Sequence, residues 1–397
     1  MFHVSLPSSK SISARALIAN AFAPRKATLT HLAECDDTRH LAQALDTLAT
    51  QDSCNVYIGD GATSLRFFMA AAASMPGKDV TVRGSRQLMS RPSEALASAL
   101  RQLGADIITT AEGFHIRGRR LTGGEARVDT SISSQFVSAL MLAAPEWEEG
   151  VTLRFGERPV SYPYIKMTAR VMETFGASVE IDDGGVRVAL GGYHAPGHYT
   201  VEADWSAASY MYELAAVCRS RMIRVSDLTH PDESLQGDSE CARLFALLGV
   251  RTGFNPDGSA ILDGSGEAPQ YLRLDMAETP DLVPAFAASC CASGTAFEIS
   301  GIGHLRHKES DRLAALAAEL GRCGFNVEAG TDTLCHDGVK PSFPSGKSVI
   351  DSHGDHRMAM SLAPLGLIMP GDLTTDRPEV VEKSFPGYWE ILRRFRF

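Results

Sequence analysis

The sequence predicts an α/β protein (α+β in the broad sense) assembled from repeats of one helix-and-hairpin unit, and three observations carry that reading. Four times, an amphipathic helix ends at a glycine and is followed by a strand, a glycine-containing turn and a returning strand. The helix-ending glycines Gly104, Gly176, Gly249 and Gly324 stand 72 (176 − 104), 73 (249 − 176) and 75 (324 − 249) residues apart. Chance self-similarity rarely holds its period over three steps. The 397 residues also exceed what a single core accommodates, and five or six such units fill the chain.

Taken in order, residues 38–58 read as a degenerate first copy, with Leu41, Leu45 and Leu48 at helical spacing before a strand over 54–58. The next helix spans 93–103 with Leu96, Leu100 and Leu103 on one face, then Gly104, a strand over 105–110, the turn Ala111-Glu112-Gly113 and a strand over 114–117. A helix over 164–175 leads to Gly176, a strand over 178–181, Asp182-Asp183-Gly184-Gly185 and a strand over 186–190. A helix over 239–248 leads to Gly249, a strand over 250–254, Pro256-Asp257-Gly258 and a strand over 260–262. The last runs over 311–323 to Gly324 and a strand over 325–328, with Asp337-Gly338 further on, and residues 377–397 complete a final unit. Glycine after a helix and Asp-Gly in a hairpin each have local causes, so the period rather than any one turn decides. A unit this long suits a globular α/β repeat better than a solenoid.

Composition narrows the function. Hydrophobic residues at 44% and charged residues at 22% are those of an ordinary water-soluble globular chain. A net charge of −10 argues against a general binder of nucleic acid or anionic membrane, which needs clustered Lys and Arg. The eight cysteines show no framework spacing and no C-x-x-C, so reduced thiols in a cytosol are expected. Met1-Phe2-His3-Val4-Ser5 does not read as a signal peptide, and the apolar run 67–75 is too short to span a bilayer.

The motifs with chemical content fall where a loop or strand becomes a helix. Leu6-Pro7-Ser8-Ser9-Lys10-Ser11-Ile12-Ser13-Ala14-Arg15 combines capping serines with two cations at a helix start, where free N–H groups and the helix dipole already favour an anion. Gly59-Asp60-Gly61-Ala62-Thr63-Ser64-Leu65-Arg66 is a glycine-rich turn entering a helix; without the Gly-Lys-Ser/Thr ending it is no P-loop. Ser90-Arg91-Pro92 puts Arg91 in the opening turn of a helix. Ser131-Ile132-Ser133-Ser134-Gln135 and Ser161-Tyr162-Pro163-Tyr164 each open a further helix. The first of these is apolar all round and therefore buried, so its polar start faces solvent or a ligand.

The segment 304–312 packs His304, Arg306, His307, Lys308, Glu309, Asp311 and Arg312 together. Arg306 and Asp311 read as solvated charges. His304-x-x-His307 and His353-x-x-His356 have metal-like spacing, but the cations among them would repel a divalent ion. Several cationic helix starts imply a ligand with several anionic groups, and each phosphate monoester carries about −1.5 to −2. Lys10, Arg15, Arg66, Arg91, Lys308, Arg312, Arg357 and Lys383 are the candidate cations. Asp281 and Glu309 among them are candidates for proton transfer, although a helix cap or an ion-pair role accounts for either alone.

In this order the motifs resemble the 5-enolpyruvylshikimate-3-phosphate synthases, the 3-phosphoshikimate 1-carboxyvinyltransferase family. Nine short matches follow the family's sequence nearly end to end: Pro7 to Arg15, Gly59 to Arg66, Arg91-Pro92, Ser133-Ser134-Gln135, Ser161-x-Pro163-Tyr164, Pro280-Asp281, Lys308-Glu309-x-Asp311-Arg312, Asp355 to Met360 and Lys383 to Pro386. The resemblance implies the two-domain enolpyruvyl transferase fold, each domain holding three βαβαββ repeats (an inside-out α/β barrel), with the site in the cleft between domains. Residues 9–203 would form an inserted domain on the shikimate-phosphate side; residues 1–8 with 204–397, entered through Asp204 to Tyr210, would form the second and complete the phosphoenolpyruvate site.

The implied reaction moves the enolpyruvyl group of phosphoenolpyruvate onto the 5-hydroxyl of shikimate 3-phosphate, releasing phosphate through a tetrahedral intermediate, with no cofactor or metal. Carried over by position, Lys10, Ser11, Arg15, Ser133, Ser134, Gln135, Ser161, Tyr164, Asp281, His304 and Lys308 would hold shikimate 3-phosphate. Lys10, the Ala62 backbone, Arg91, Gln135, Arg312, Arg357 and Lys383 would meet phosphoenolpyruvate. Asp281 would take the hydroxyl proton and Glu309 would serve the methylene carbon, with Lys10 and Lys383 as catalytic cations. Ser8 stands where the family usually has Gly, and Asp60 and His304 where Asn is frequent. The sister family acting on UDP-N-acetylglucosamine is the second reading, disfavoured by the Lys10 and Ser133-Ser134-Gln135 motifs. A non-catalytic anion-binding module of the same fold is the third, disfavoured by Asp281 and Glu309. A cytoplasmic monomer acting on small molecules, with no nucleic-acid or membrane partner, is expected.

Ala62 carries a specific consequence of the resemblance, since the family's loop usually has glycine there. A methyl beside the phosphoenolpyruvate site would clash with glyphosate, a slightly longer molecule that occupies the same site. One crowding methyl costs about 1–3 kcal/mol, and 1.4 kcal/mol is about tenfold in affinity. The Ala62→Gly variant is expected to be inhibited by glyphosate at least about tenfold more strongly than the natural chain. Equal inhibition constants against phosphoenolpyruvate would show that the methyl does not reach the ligand.

Overall fold

The four helix-ending glycines do turn the chain, each with a positive φ: +102° at Gly104, +83° at Gly176, +84° at Gly249 and +95° at Gly324. At Gly324 a side chain is excluded twice, since a Cβ would also stand 2.2 Å from the carbonyl oxygen of Ser342. The computed structural model describes residues 1–128, 133–156, 159–182 and 184–396. The start of the Ser131-Ile132 motif and Asp183 of the second turn lie outside these.

Four sheets share one strand order, in which the first strand runs parallel to the second, the second pairs antiparallel with the fourth, and the third holds the far edge. They are Ser53–Tyr57, Asp79–Arg83, Gly113–Arg117, Asp106–Thr109; Gly124–Arg127, Val151–Arg154, Gly185–Val188, Val179–Asp182; Phe2–Ser5, Ile223–Ser226, Ala260–Asp263, Arg251–Phe254; and Tyr271–Asp275, Ala296–Ser300, Leu334–His336, Val327–Ala329. Each second strand follows a helix buried nearly all round (Ala62–Ala73, Ser134–Ala143, Trp205–Cys218, Val283–Ser293). Each hairpin follows an amphipathic one (Glu94–Gln102, Tyr162–Thr174, Cys241–Ala246, Arg312–Arg322). A parallel pair needs a crossover element and an antiparallel pair only a turn, so βαβαββ is the unit. Two parallel pairs, His198–Thr200 beside Thr28–Thr30 and Ser348–Ile350 beside Leu373–Thr375, are units without the hairpin.

Two expectations are corrected. The strand read over 54–58 does not close a first copy; as Ser53–Tyr57 it opens the next sheet, parallel to Asp79–Arg83. Asp337-Gly338 is not the hairpin turn of the last complete unit, because Gly330 to Thr333 make it, with the Gly330 N–H donating to the Thr333 carbonyl at 2.9 Å.

The chain separates into two compact units, one of Met1–Pro7 with Glu202–Phe397 and one of Ser8–Val201. Among the described residues no helix is long and apolar enough to cross a membrane. All eight cysteines are free thiols. In the first unit Leu313, Leu316 and Leu320 of the Arg312–Arg322 helix are fully buried. Burial of each is worth about 1.5–3 kcal/mol, enough to fix the helix start where Arg312 stands.

One buried group opposes that stability. Glu213, in the middle of the helix Trp205–Cys218, has no exposed surface, and neither carboxylate oxygen has a hydrogen-bond partner among the described residues. Burial pushes its carboxyl well above the ordinary 4.5, so the folded chain keeps the proton that the unfolded chain loses. Its contribution is therefore most favourable below about pH 4.5 and is lost as the pH climbs from there through the folded value. Glu213→Met, which removes the unpaired acid at similar volume, is expected to raise the unfolding free energy by about 1–3 kcal/mol, with the gain larger at pH 8 than at pH 5. Chemical denaturation at the two pH values checks it; a gain that does not grow with pH would place a counter-charge on Glu213.

Candidate active site

The second unit gathers its polar groups at helix starts. Ser9 caps the helix Lys10–Phe22, its hydroxyl accepting from the Ile12 N–H. This leaves Lys10 at the first helical position, where its ammonium donates to Asp37 Oδ2 at 2.9 Å. Arg15, one turn on, is only 1% exposed. Its guanidinium donates to Thr168 Oγ1 at 2.7 Å, the Ser11 carbonyl at 2.8 Å, the Tyr164 carbonyl at 3.2 Å and Ser138 Oγ at 3.4 Å, and it lies over the rings of Phe67 and Tyr164. These partners are all neutral. Burial lowers its pKa to about 10, which leaves it cationic at neutral pH. A buried cation whose hydrogen-bond partners among the described residues are neutral makes its surroundings attractive to anions.

Arg66 stands in the helix Ala62–Ala73 and is 2% exposed. It donates to Gln135 Oε1 at 2.5 Å, to Ser133 Oγ at 3.4 Å and to the Pro92 carbonyl at 2.8 Å. It therefore holds together the starts of two predicted motifs and the segment next to Arg91. The expected place of Arg91 is corrected: it lies in the link between the helices Arg86–Met89 and Glu94–Gln102, ahead of the cap Ser93, because the first helix stops after one turn. Ala62 is the first residue of its helix and 4% exposed, and Asp60 accepts from the Ser85 hydroxyl. Ser133 caps its helix by accepting from the Gln135 N–H, with Ser134 buried beside it. Ser161 sits at φ +55° directly before the helix Tyr162–Thr174, a conformation that costs a non-glycine residue energy and is kept mainly at functional positions.

In the other unit the predicted residues converge on Arg312. Its Nη1 donates to Asp281 Oδ1 at 2.9 Å, its Nη2 to Glu309 Oε2 at 2.8 Å and its Nε to Asp355 Oδ2 at 2.7 Å. Arg357 Nη2 donates to Asp281 Oδ2 at 2.8 Å, and Lys383 Nζ to Glu309 Oε1 at 3.1 Å. Asp355 also caps the helix His356–Leu362 by accepting from the Arg357 N–H at 2.9 Å. The expected acid–base pair Asp281 and Glu309 and the cations Arg312, Arg357 and Lys383 thus form one network. Burial pushes the Asp281 carboxyl up, but Arg357, Arg312 and Lys308 outweigh it and hold the group well below the usual carboxylate range.

His304 is buried in the short helix Gly303–His307, and its Nε2 has no hydrogen-bond partner among the described residues. Burial and the Lys308 charge push it down to about 4, so it is neutral and carries one donor and one acceptor, much as an Asn amide does. Arg306 and Asp311 pair with one another at 2.7 Å, and Asp311 also caps the helix Arg312–Arg322. Among the described residues no three His, Cys, Asp or Glu side chains stand as a metal site.

Sequence reasoning missed several contributors. Asp37 lies in none of the motifs, and Asp355 opens one without having been given a role. Asp238, to which the Ser206 hydroxyl donates, is pushed up to about 7 by burial and by the charge of Asp281, with Arg357 opposing. It belongs to the Asp281 environment although nothing near it in the sequence points there.

Among the described residues, four βαβαββ units and two more without the hairpin, with polar helix starts and carboxylates shared among arginines, define an enolpyruvyl transferase. A sequence profile for EPSP synthase (3-phosphoshikimate 1-carboxyvinyltransferase) matches residues 3–392, and the chain belongs to that family. The 3-phosphoshikimate 1-carboxyvinyltransferase of Bacteroides fragilis (strain YCH46) is 38% identical over 400 residues, covering 99% of this chain and 95% of its own. That of Methanoculleus marisnigri is 36% identical over 411 residues, covering 97% and 94%. Among solved structures, EPSP synthase from Acinetobacter baumannii aligns with a TM-score of 0.75 at 22% identity over 99% of this chain and 95% of its own. The enolpyruvyl transferase NikO from Streptomyces tendae aligns with a TM-score of 0.75 at 16% identity over 100% and 94%. At those identities the structural likeness concerns the fold.

Proposed function

We propose that this chain transfers the carboxyvinyl group of phosphoenolpyruvate to the 5-hydroxyl of shikimate 3-phosphate, with Asp281 and Glu309 moving the protons. The observation that supports these roles is the sharing of Arg312 between the two carboxylates, with Arg357 and Lys383 completing the pairs. A carboxylate gripped by two arginines is a weak base. Phosphoenolpyruvate brings a carboxylate and a phosphate that compete for the same guanidinium groups. As they take Arg312 and Arg357, Asp281 loses its counter-charges and gains base strength at the moment the substrate arrives.

The substrate hydroxyl oxygen then attacks C2 of phosphoenolpyruvate, its proton passing to Asp281, while C3 gains a proton from the acid form of Glu309. Loss of a proton from C3 back to Glu309 and departure of phosphate from C2 close the sequence. The acceptor is held by Lys10, Ser11, Arg15, Ser133, Ser134, Gln135, Ser161, Tyr164, Asp281, His304 and Lys308. Phosphoenolpyruvate meets Lys10, the Ala62 N–H, Arg91, Gln135, Arg312, Arg357 and Lys383. The cations act as fixed charges aimed at developing negative charge, the setting in which electrostatic stabilisation is largest. Cytoplasmic localisation and a monomeric state are part of the same reading.

Phosphate release is expected only with phosphoenolpyruvate and shikimate 3-phosphate together; release with UDP-N-acetylglucosamine instead would move the activity to the sister reaction. Asp281→Asn and Glu309→Gln are each expected to lower kcat by about 10²–10⁴, much more than they weaken shikimate 3-phosphate binding measured by calorimetry. Near-normal kcat in Asp281→Asn would reduce Asp281 to an ion-pair partner.

A further inference from the structure

We propose that Asp37 is a positioning residue that holds Lys10 and the Gly59–Ala62 turn in register as one anion-binding piece. The inference rests on the roles given above to Lys10 and Ala62.

Asp37 lies in the first turn of the helix Asp36–Thr50 and is 4% exposed. One carboxylate oxygen, Oδ2, receives the Lys10 ammonium at 2.9 Å, with side-chain exposures of 18% for Lys10 and 6% for Asp37. Its backbone carbonyl receives the Ser64 hydroxyl at 2.9 Å, so the same residue grips the first turn of the helix that Ala62 begins. The other carboxylate oxygen, Oδ1, is buried without a hydrogen-bond partner among the described residues. A Cβ placed on Gly61 would stand 2.9 Å from it. One helical turn further, the ring of His40 occupies the space beside Gly59, where a Cβ would fall 2.5 Å from Nδ1 and where φ is +66°. The glycines of the turn are thus set by what lies beneath them as well as by their backbone angles. The turn rests on this helix at two points, Asp37 and His40.

The physical need is clear. A lysine stem has about 2 kcal/mol of rotamer entropy and no preferred fork geometry, so Lys10 without an anchor would sample many directions. A largely buried pair is less screened than a surface one. Arg15, by contrast, is directed by neutral acceptors. Asp37 is the carboxylate that aims the mobile cation, and it does so relative to the turn, because both are attached to it. Small displacements of such groups are costly, with about 10²-fold in rate for about 1 Å.

The test is a double-mutant cycle with Lys10→Met, Asp37→Asn and the pair, measuring kcat and both KM values, with NMR of the Gly61 and Ala62 amides in the natural chain and Asp37→Asn. Asp37→Asn is expected to raise KM for phosphoenolpyruvate about tenfold or more, with Asp37→Glu recovering part of the loss. In the Lys10→Met background the same change is expected to matter less than about twofold, since coupled residues are not additive. The Gly61 and Ala62 amide signals should shift in Asp37→Asn. Equal losses in both backgrounds, or unmoved amides, would overturn the proposal and leave Asp37 a structural residue. If the natural chain releases no phosphate from phosphoenolpyruvate at all, the functional reading fails. The amide shifts, together with the exchange rate of the Lys10 ammonium signal with and without Asp37, then decide this proposal alone: slow exchange lost in Asp37→Asn supports it, and unchanged exchange overturns it.

Discussion

Arg312 is the residue on which its cluster depends. A guanidinium offers its donors in a fixed planar fork, and here Nη1, Nη2 and Nε face Asp281, Glu309 and Asp355 respectively. Three carboxylates could not share so small a buried region without it. Asp355 adds direction: it holds the Nε of Arg312 and caps the helix that begins with His356 and Arg357. One aspartate therefore sets the positions of both arginines. The buried leucine face of the Arg312–Arg322 helix fixes the other end of the arrangement. Packing gives the precision, and the charges then follow.

The other unit holds its buried arginines with neutral hydrogen-bond acceptors as well as with charge. Arg15 is surrounded by hydroxyls, carbonyls and two aromatic rings, which satisfy its donors and leave its charge uncancelled. Arg66 meets an amide oxygen, a hydroxyl, a carbonyl and the ring of Phe136. Lys10 is paired with an acid, Asp37, and Lys10 is the flexible one. A chain with net charge −10 can attract a multiply charged anion because the field near the ligand is set locally by these groups.

Much of the fold was legible because its punctuation is local. Gly104, Gly176, Gly249 and Gly324 end helices for reasons confined to a few residues, and their even spacing exposed the repeat. What failed was also local. The strand at 53–57 looks like the end of one unit because sequence order does not say which strand it pairs with. Asp337-Gly338 has hairpin chemistry but stands one strand too late. In the site, motif cations and the Asp281 and Glu309 carboxylates could be named from their neighbours. Asp37, Asp238 and Asp355 could not be given roles, since each acts on a residue 27, 43 and 43 positions away (37 − 10, 281 − 238, 355 − 312). The full burial of Glu213 was hidden for a similar reason: a lone acid in an apolar helix reads as its solvated edge.

The claim that binds fold to chemistry is that the arginine clamp keeps Asp281 a weak base until phosphoenolpyruvate draws the arginines away. Its most direct test is the titration of the Asp281 side-chain carbon by ¹³C NMR, assigned with Asp281→Asn, with and without phosphoenolpyruvate and with no acceptor present. The free protein should show Asp281 ionised to well below the ordinary aspartate value of 3.8, and the midpoint should rise when phosphoenolpyruvate is bound. A midpoint that phosphoenolpyruvate leaves unchanged, or an ordinary value in the free protein, would contradict it.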